Sequence, residues 1–240
     1  MTRREWLENV AFVTTAWRAL TGTSMAAQAA ARDAVDHLLL GASDLDAGIA
    51  WFETRTGVKA AIGGVHPGAG TRNALASLGG RQYLEIIAPD PAQTTFNFQI
   101  DLRKLTEPRL VTWAAATTDV DGTAAAAAKA GYKVFGPRDG SRARPDGVTL
   151  RWRSVGVIAG FAEADVDPTP FFIQWAADST HPSSDSPAGC RLAALELRHP
   201  DPTKLREALA RLGIDAVVKK GDKAALAATL DTPKGHVVIG

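Results

Sequence analysis

Residues 34–58 have the sequence AVDHLLLGASDLDAGIAWFETRTGV, and this stretch decides the fold. Its first seven residues are apolar except for Asp36 and His37, a pattern that predicts a strand. Residues 43–46 then supply an N-cap and an acidic first turn, and Gly57 supplies a C-terminal stop. A strand followed by one helix is therefore expected here.

Three more strands are predicted between this helix and Asp90. They lie near residues 58–62, at 74–78 and at 82–88. A Gly-rich loop at 63–73 and a tight turn at Gly79 and Gly80 separate them. The order of elements in this first module is βαβββ.

The same order recurs twice along the chain. A second copy begins at Leu110, has its helix cap at 118–121 and a helix stop at Gly131, and closes with the strand at 170–175. A third, shorter copy fills residues 192–239. Repetition of one supersecondary unit is the strongest architectural signal in the sequence. It predicts an α+β fold of tandem βαβββ modules with a third βαβββ-like module at the C-terminus.

Prolines and serines mark the boundaries between these modules. We expect one domain of two modules, 34–90 and 109–178, joined by a Pro-containing connector, and a third partial module at 190–240. Residues 179–187 form a Ser/Pro linker, which favours a separable third module. Two alternatives remain open: an extension docked over a sheet edge, or a module that completes a sheet in a second subunit of a homodimer.

Composition excludes several classes of protein. With 240 residues, 45% of them hydrophobic, the chain can bury a sizeable core. Its formal net charge is +1 and no Lys/Arg run interleaves with aromatics, so nucleic acid is not an expected partner. Cys190 is the single cysteine, which excludes a disulfide framework. No run reaches the roughly 18 apolar residues of a membrane span, so no membrane partner is expected.

Residues 1–31 form a leader that resembles a twin-arginine export signal. Arg3 and Arg4 precede a weakly apolar stretch and a small-residue cleavage site. A periplasmic or otherwise exported protein is the resulting expectation. Glu8 and Arg18 depart from that pattern, and the alternative is a cytoplasmic amphipathic helix that packs on the domain.

Tandem βαβββ units with His37 in the first strand and Glu85 in the last strand of one unit resemble the vicinal oxygen chelate superfamily. This superfamily includes glyoxalase I, extradiol dioxygenases and bleomycin-resistance proteins. Four segments are similar to its glyoxalase-like domain subgroup: Asp36-His37-Leu38, residues 66–75, Tyr83-Leu84-Glu85 and residues 171–175. The resemblance implies a cupped, mostly antiparallel half-barrel sheet. It also implies a divalent metal held by the first and last strands of each unit.

Carried over by position, the resemblance implies that His37 and Glu85 are metal ligands. Imidazole and carboxylate together suit Zn, Mn, Fe or Ni, so the identity of the metal stays open. In the second unit Gln174 falls opposite Glu85 and offers a carbonyl oxygen. Trp113 falls opposite His37 and cannot bind a metal. The two histidines and one carboxylate that Fe(II) oxygen chemistry requires are thus not assembled at these positions.

Other candidates surround this pair. His66, in the Gly-rich loop, is predicted to act as a further metal ligand or as a general base. Arg72 and Asn73 are candidates for hydrogen bonds to a substrate carbonyl or carboxylate. Aromatic residues of the second unit are expected to line a dry pocket for a small organic ligand, although core packing explains them equally well. They are Trp113, Trp152, Phe171 and Trp175.

Two functions from different classes follow. The first is a metal-assisted lyase or isomerase that acts on a small α-oxygenated compound, with His66 or Glu85 moving the proton. The second is a metal-free protein of the bleomycin-resistance type that binds or sequesters a small molecule. The incomplete ligand set in the second unit favours the second, and the His37 and Glu85 pair favours the first.

Overall fold

A computed structural model describes residues 31–163 and 165–240. The first module contains β1 (Val35–Gly41), α1 (Leu45–Thr56), β2 (Ala61–His66), β3 (Thr71–Ser77) and β4 (Tyr83–Pro89). The second contains β5 (Arg109–Ala116), α2 (Val120–Lys129), β6 (Lys133–Ala143), β7 (Thr149–Ile158) and β8 (Phe171–Trp175). The third contains β9 (Arg191–His199), α3 (Pro202–Arg211), β10 (Val218–Lys220), β11 (Ala225–Thr232) and β12 (Gly235–Ile239). The predicted export signal lies outside the described residues.

The first two modules build one sheet of eight strands in the order β2-β3-β4-β1-β5-β8-β7-β6. Antiparallel pairing of β1 with β5 joins the modules at the centre of this sheet, with His37 opposite Ala114. The third module forms a sheet of its own in the order β10-β9-β11-β12. The predicted α+β fold of three βαβββ modules is confirmed.

The large sheet curls until its two edge strands meet. Arg142 of β6 donates a hydrogen bond from Nη1 to the carbonyl oxygen of Gly63 in β2. Strands β2 and β6 approach each other closely at Gly64, whose φ is +145°. An added Cβ there would stand 2.5 Å from the Ala143 carbonyl oxygen. The curl encloses a cavity on one face of the sheet, as the predicted half-barrel requires.

Helix α1 forms where its caps predict it. The Asp44 side chain accepts a hydrogen bond of 2.8 Å from the Ala47 amide, and Gly57 ends the helix with φ 79°. The buried residues Ile49 and Phe52 pack on the face of the sheet opposite the cavity, together with Leu38 of β1. Because side chains alternate along a strand, this packing turns the neighbours of Leu38 toward the cavity.

The stretch 63–73, predicted as a loop, is mostly a hairpin. Strand β2 continues to His66 and β3 starts at Thr71, so only residues 67–70 form the turn. Gln93, from the connector between the modules, accepts hydrogen bonds at Oε1 from the amides of Gly68 (2.9 Å) and Gly70 (3.3 Å). This clamp fixes the turn beside the cavity and places His66 on a strand.

The third module and the linker that precedes it both contact the first module. The Leu192 amide donates to the carbonyl oxygen of Leu78 at 3.0 Å, and the Ser77 amide donates to that of Pro187 at 2.9 Å. Lys234 donates from Nζ to the Thr54 carbonyl oxygen at 2.6 Å. Apolar residues of all three modules share one core cluster. Within the described part of the chain, no helix has the length and apolarity needed to cross a membrane.

Candidate functional site

A cavity of about 620 Å³ lies inside the curl of the eight-stranded sheet. The four strands of the first module and β6 of the second supply most of its polar side chains, and β7 and β8 supply aromatic ones. Its buried and half-buried polar groups include those of His37, His66, Asn73, Glu85 and Arg142, and Arg138 and Asp139 are exposed at its edge. Polar groups that converge in a cavity with aromatic walls are typical of a small-molecule site.

Strand pairing brings the two predicted metal ligands together. Strand β1 runs parallel to β4, with His37 opposite Tyr83 and Leu39 opposite Glu85. Both His37 and Glu85 therefore face the cavity, two residues apart in register. The Nε2 atom of His37 lies 3.4 Å from Oε2 of Glu85, and both side chains are nearly inaccessible to solvent.

Glu85 is the hub of the polar cluster. Asn73 donates a hydrogen bond of 2.7 Å from Nδ2 to its Oε1. The Nε2 atom of His66 lies 3.6 Å from the same oxygen and 3.3 Å from Asn73 Nδ2. Two imidazoles and one amide thus converge on one buried carboxylate. Strand positions alone predicted only the approach of His37 to Glu85.

The hydrogen bonds on the far side of each imidazole assign the tautomers. Asp36 only accepts, so His37 carries a proton on Nδ1, which lies 2.7 Å from Asp36 Oδ1. Asn73 donates to Nε2 of His66, so that ring carries its proton on Nδ1, 2.9 Å from Thr71 Oγ1. In the neutral form, His37 directs its Nε2 lone pair toward Glu85, whereas the Nε2 lone pair of His66 accepts from Asn73 beside the same carboxylate.

Asp36 anchors a second layer of polar contacts behind His37. It is 2% exposed and accepts hydrogen bonds from His37 Nδ1, from His181 Nε2 at 3.1 Å and from Trp175 Nε1 at 3.1 Å. Burial raises the pKa of Asp36, but the hydrogen bonds from His181 and His37 and attraction to both rings outweigh it. The pKa falls from 3.8 to about 2.

Two other pKa shifts shape the site. Burial lowers the pKa of His66 below 6.5, which keeps this imidazole neutral and basic at Nε2 near neutral pH. Burial works to raise the pKa of Glu85, but attraction to His66 and His37 and the hydrogen bond from Asn73 outweigh it, and the pKa is lowered. Glu85 is thus an anionic acceptor at neutral pH.

Sequence reasoning missed three members of the site. Asp36 was noted only as a neighbour of His37, and His181 lies in the stretch interpreted as a Ser/Pro linker. Arg142, 4% exposed, lies on β6 and was not among the candidate residues. The one sequence signal for Arg142 was its alternation with Arg138 and Gly140, which is the period of a strand.

The structure brings most of the predicted site residues into one cavity. They are His37, His66, Asn73, Glu85, Trp152, Phe171 and Trp175. Trp113 was predicted to line the cavity, and this prediction is wrong. Trp113 pairs with Leu38, points to the opposite face of the sheet and is fully buried in the core. Its Nε1 donates to the Pro168 carbonyl oxygen at 3.0 Å. The register of β1 with β5 sets Ala114, not Trp113, beside His37.

Arg72 and Gln174 are also placed outside this cavity. Arg72 alternates with Asn73 and so faces away from it, with Nη2 3.8 Å from Asp44 Oδ2. Gln174 alternates with Trp175, and its Oε1 accepts a hydrogen bond of 3.0 Å from the amide of Val120 at the start of α2. Gln174 is therefore a helix cap in this structure.

We expect Gln174→Ala to lower the free energy of unfolding by about 1 kcal/mol, because it removes this hydrogen bond from the first turn of α2. Urea denaturation at neutral pH measures the change. The metal content of the purified protein is expected to stay the same as that of the unmodified chain. Loss of a bound metal in this variant, with an unchanged unfolding curve, would contradict the assignment.

Among the described residues, no group of three or more His, Cys, Asp or Glu side chains is already arranged to hold a metal ion. The Asn73 amide donates to Glu85 at Oε1, the carboxylate oxygen nearest His66. The chemistry of the donors still suits a divalent cation. The Nε2 lone pair of His37 faces the Glu85 carboxylate, Nε2 of His66 lies 3.6 Å from it, and Asp36 and Thr71 hold the other nitrogens of the two rings.

The cupped eight-stranded sheet and the cavity inside it define a vicinal oxygen chelate fold. Within that class, the model of the glyoxalase-like domain family matches residues 35–213, and the chain belongs to this family. No curated protein matches the chain.

Solved structures share the fold at low sequence identity. A hypothetical protein from Staphylococcus aureus has a TM-score of 0.61 and 17% identity over 85% of this chain and 83% of its own. Methylmalonyl-CoA epimerase from Mycobacterium tuberculosis has a TM-score of 0.40 and 18% identity over 59% and 86%. A mutant 4-hydroxymandelate synthase from Streptomyces coelicolor has a TM-score of 0.45 and 13% identity over 85% and 60%. At these identities the likeness concerns the fold alone.

Proposed function

We propose that this protein is a metal-assisted lyase or isomerase that acts on a small α-oxygenated organic compound in the cavity. The supporting observation is the 3.4 Å contact between His37 Nε2 and Glu85 Oε2. His37 already donates from Nδ1 to Asp36, so its Nε2 carries either a lone pair or a second proton. A lone pair facing a carboxylate is repulsive, and a divalent cation between the two atoms removes that repulsion.

His37 and Glu85 are the residues that would hold the cation, with Asp36 fixing the ring of His37 from behind. When bound, the cation would polarise the vicinal oxygens of a substrate and so acidify the adjacent C–H group. Gln174, expected to complete the ligand set, caps α2 instead. Two protein donors leave coordination positions for substrate oxygens.

His66 is proposed as the general base. Its side chain is 19% exposed and lines the cavity, whereas that of His37 is only 3% exposed, so a substrate can reach His66. Its lowered pKa keeps the ring neutral near neutral pH, so Nε2 can accept a proton from a substrate that displaces the 3.3 Å hydrogen bond from Asn73. Thr71 holds the opposite nitrogen of the ring, and Asn73 fixes Nε2 beside Glu85.

Elemental analysis of protein purified without chelators tests the metal. We expect about one equivalent of a transition metal in the unmodified chain and none in the His37→Ala, Glu85→Ala double variant. The matched control is His236→Ala with Asp231→Ala, because this pair also places imidazole 2.7 Å from carboxylate, but outside the cavity. Metal retained in the His37 and Glu85 variant, or absent from all three proteins, contradicts the proposal.

A second candidate is a metal-free protein that binds a small molecule. It is supported by the 2.7 Å hydrogen bond from Asn73 to Glu85, which satisfies one carboxylate oxygen without any cation. In this case His37 carries a second proton and pairs with Glu85 directly. Absence of metal, together with a small molecule that co-purifies with the unmodified chain and is lost in Phe171→Ala, would favour this function.

A further inference from the structure

The side of the cavity formed by β6 and β7 carries an aromatic platform. Trp152 of β7 is opposite Gly140 of β6 in the antiparallel register. An added Cβ at residue 140 would stand 2.5 Å from Cε2 of Trp152, so the indole lies directly on the backbone of β6. Only glycine leaves room for the indole in this position.

Trp175 continues this platform. Its ring centroid lies 5.5 Å from that of Trp152, with 55° between the ring planes. The Nε1 atom of Trp175 is engaged by Asp36, which fixes the second ring. Both tryptophans line the cavity that contains Glu85 and also an adjoining cavity of about 530 Å³. A ligand with its reacting end near Glu85 can therefore extend over Trp152.

Arginines flank the platform on β6. Arg138, Gly140 and Arg142 line the cavity, together with Asp139 and Ser141 between them. Arg142 is buried and donates to the Gly63 carbonyl oxygen. Arg138 is exposed and forms no ion pair with a carboxylate of the described residues, because the adjacent Asp139 lies 3.5 Å from Nε of Arg153 instead. By contrast, Arg153 on the neighbouring strand is paired with Asp121 at 2.6 Å.

We propose that the ligand of this cavity is an aromatic or otherwise planar conjugated carboxylate. Its ring stacks on the Trp152 indole, and its carboxylate pairs with Arg138. The inference rests on the proposed function only for the reacting end of the ligand. Stacking and charge recognition use residues of the second module and need no metal.

Titration calorimetry in the presence of a chelator tests the stacking, with two probes of equal charge. Phenylglyoxylate carries a planar ring, and cyclohexylglyoxylate carries a saturated ring on the same keto acid. We expect the unmodified chain to bind the phenyl compound about 3- to 10-fold more tightly. Trp152→Leu is expected to abolish that preference. Gly140→Ala is expected to reduce it as well, because the new methyl group displaces the indole.

Two more variants complete the test. Arg138→Gln is expected to weaken the binding of both probes by a similar factor. This result would separate charge recognition from stacking. Trp51→Leu is the matched control, since Trp51 lies on α1 outside the cavity, and it is expected to leave both affinities unchanged. Equal affinities in the unmodified chain, binding of neither probe, or a preference that survives Trp152→Leu overturns the inference.

The two proposals fail separately. If the protein prefers the phenyl probe but contains no metal, the inference is supported and the proposed function is contradicted. If it contains one equivalent of metal and shows no preference between the probes, the proposed function is supported and the inference is contradicted. The calorimetry with chelator and the elemental analysis therefore need to be carried out on the same preparation.

Discussion

Asp36→Asn is expected to lower the free energy of unfolding by about 3 to 5 kcal/mol. The buried carboxylate accepts hydrogen bonds from His37, His181 and Trp175. An asparagine offers a single acceptor oxygen, and its amide group would face at least one of these donors. Removal of one member of such a buried polar network leaves the others without partners, and these unpaired buried groups lower the free energy of unfolding.

Asp33→Asn is the matched control for this variant. It makes the same change of charge three residues earlier, but the side chain of Asp33 is 64% exposed. A change within about 0.5 kcal/mol is expected there. Urea denaturation of both variants and the unmodified chain, all with chelator present, gives the comparison. Equal stability of the two variants would show that the Asp36 network contributes little to folding.

The Asp36 carboxylate also makes the free energy of unfolding depend on pH. The pKa of Asp36 is about 2 in the folded protein and 3.8 ordinarily. Its depressed pKa contributes stability that is fully present above about pH 4 and is lost as the pH falls toward 2. The difference corresponds to about 2 kcal/mol. We expect the stability gap between the unmodified chain and Asp36→Asn to narrow by about that amount between pH 5 and pH 2.

Local sequence patterns predicted the elements of the fold well, because caps and stops act over a few residues. Asp44 and Gly57 bound α1 as expected, and the repeated cap and stop predicted all three modules. His37 and Glu85 were also predicted to face one cavity. That prediction came from the family resemblance, and strand alternation together with the pairing of β1 with β4 inside one module fulfils it.

Register between modules could not be predicted in the same way. Strand β5 pairs with β1 through two irregularities, between Val35 and His37 and between Leu39 and Leu40. A shift of one residue exchanges the two faces of a strand, and so Trp113 lies in the core rather than the cavity. The same limit applies to His181, which is 145 residues from its partner Asp36. No local pattern connects those two residues.

His66→Gln is expected to reduce turnover by about 100- to 10,000-fold, the usual contribution of a positioned general base. Glutamine keeps a polar group near Asn73 and Thr71 but cannot accept a proton at neutral pH. The metal content is expected to stay at that of the unmodified chain, because His37 and Glu85 are the proposed ligands. Deuterium exchange from solvent into the hemithioacetal of phenylglyoxal and a small thiol measures proton abstraction directly.

Thr71→Val is the control for the orientation of the His66 ring. It removes the acceptor 2.9 Å from Nδ1 but leaves the base itself in place, so a loss of about 10-fold in exchange rate is expected. The metal content separates the two roles that the sequence left open for His66. If His66→Gln loses both metal and exchange, then His66 is a third ligand beside His37 and Glu85, and the base must be another group. If exchange is lost while the metal stays, His66 is the base, and the hydrogen bond from Asn73 to Glu85 explains how ligand and base are held apart in one small cavity.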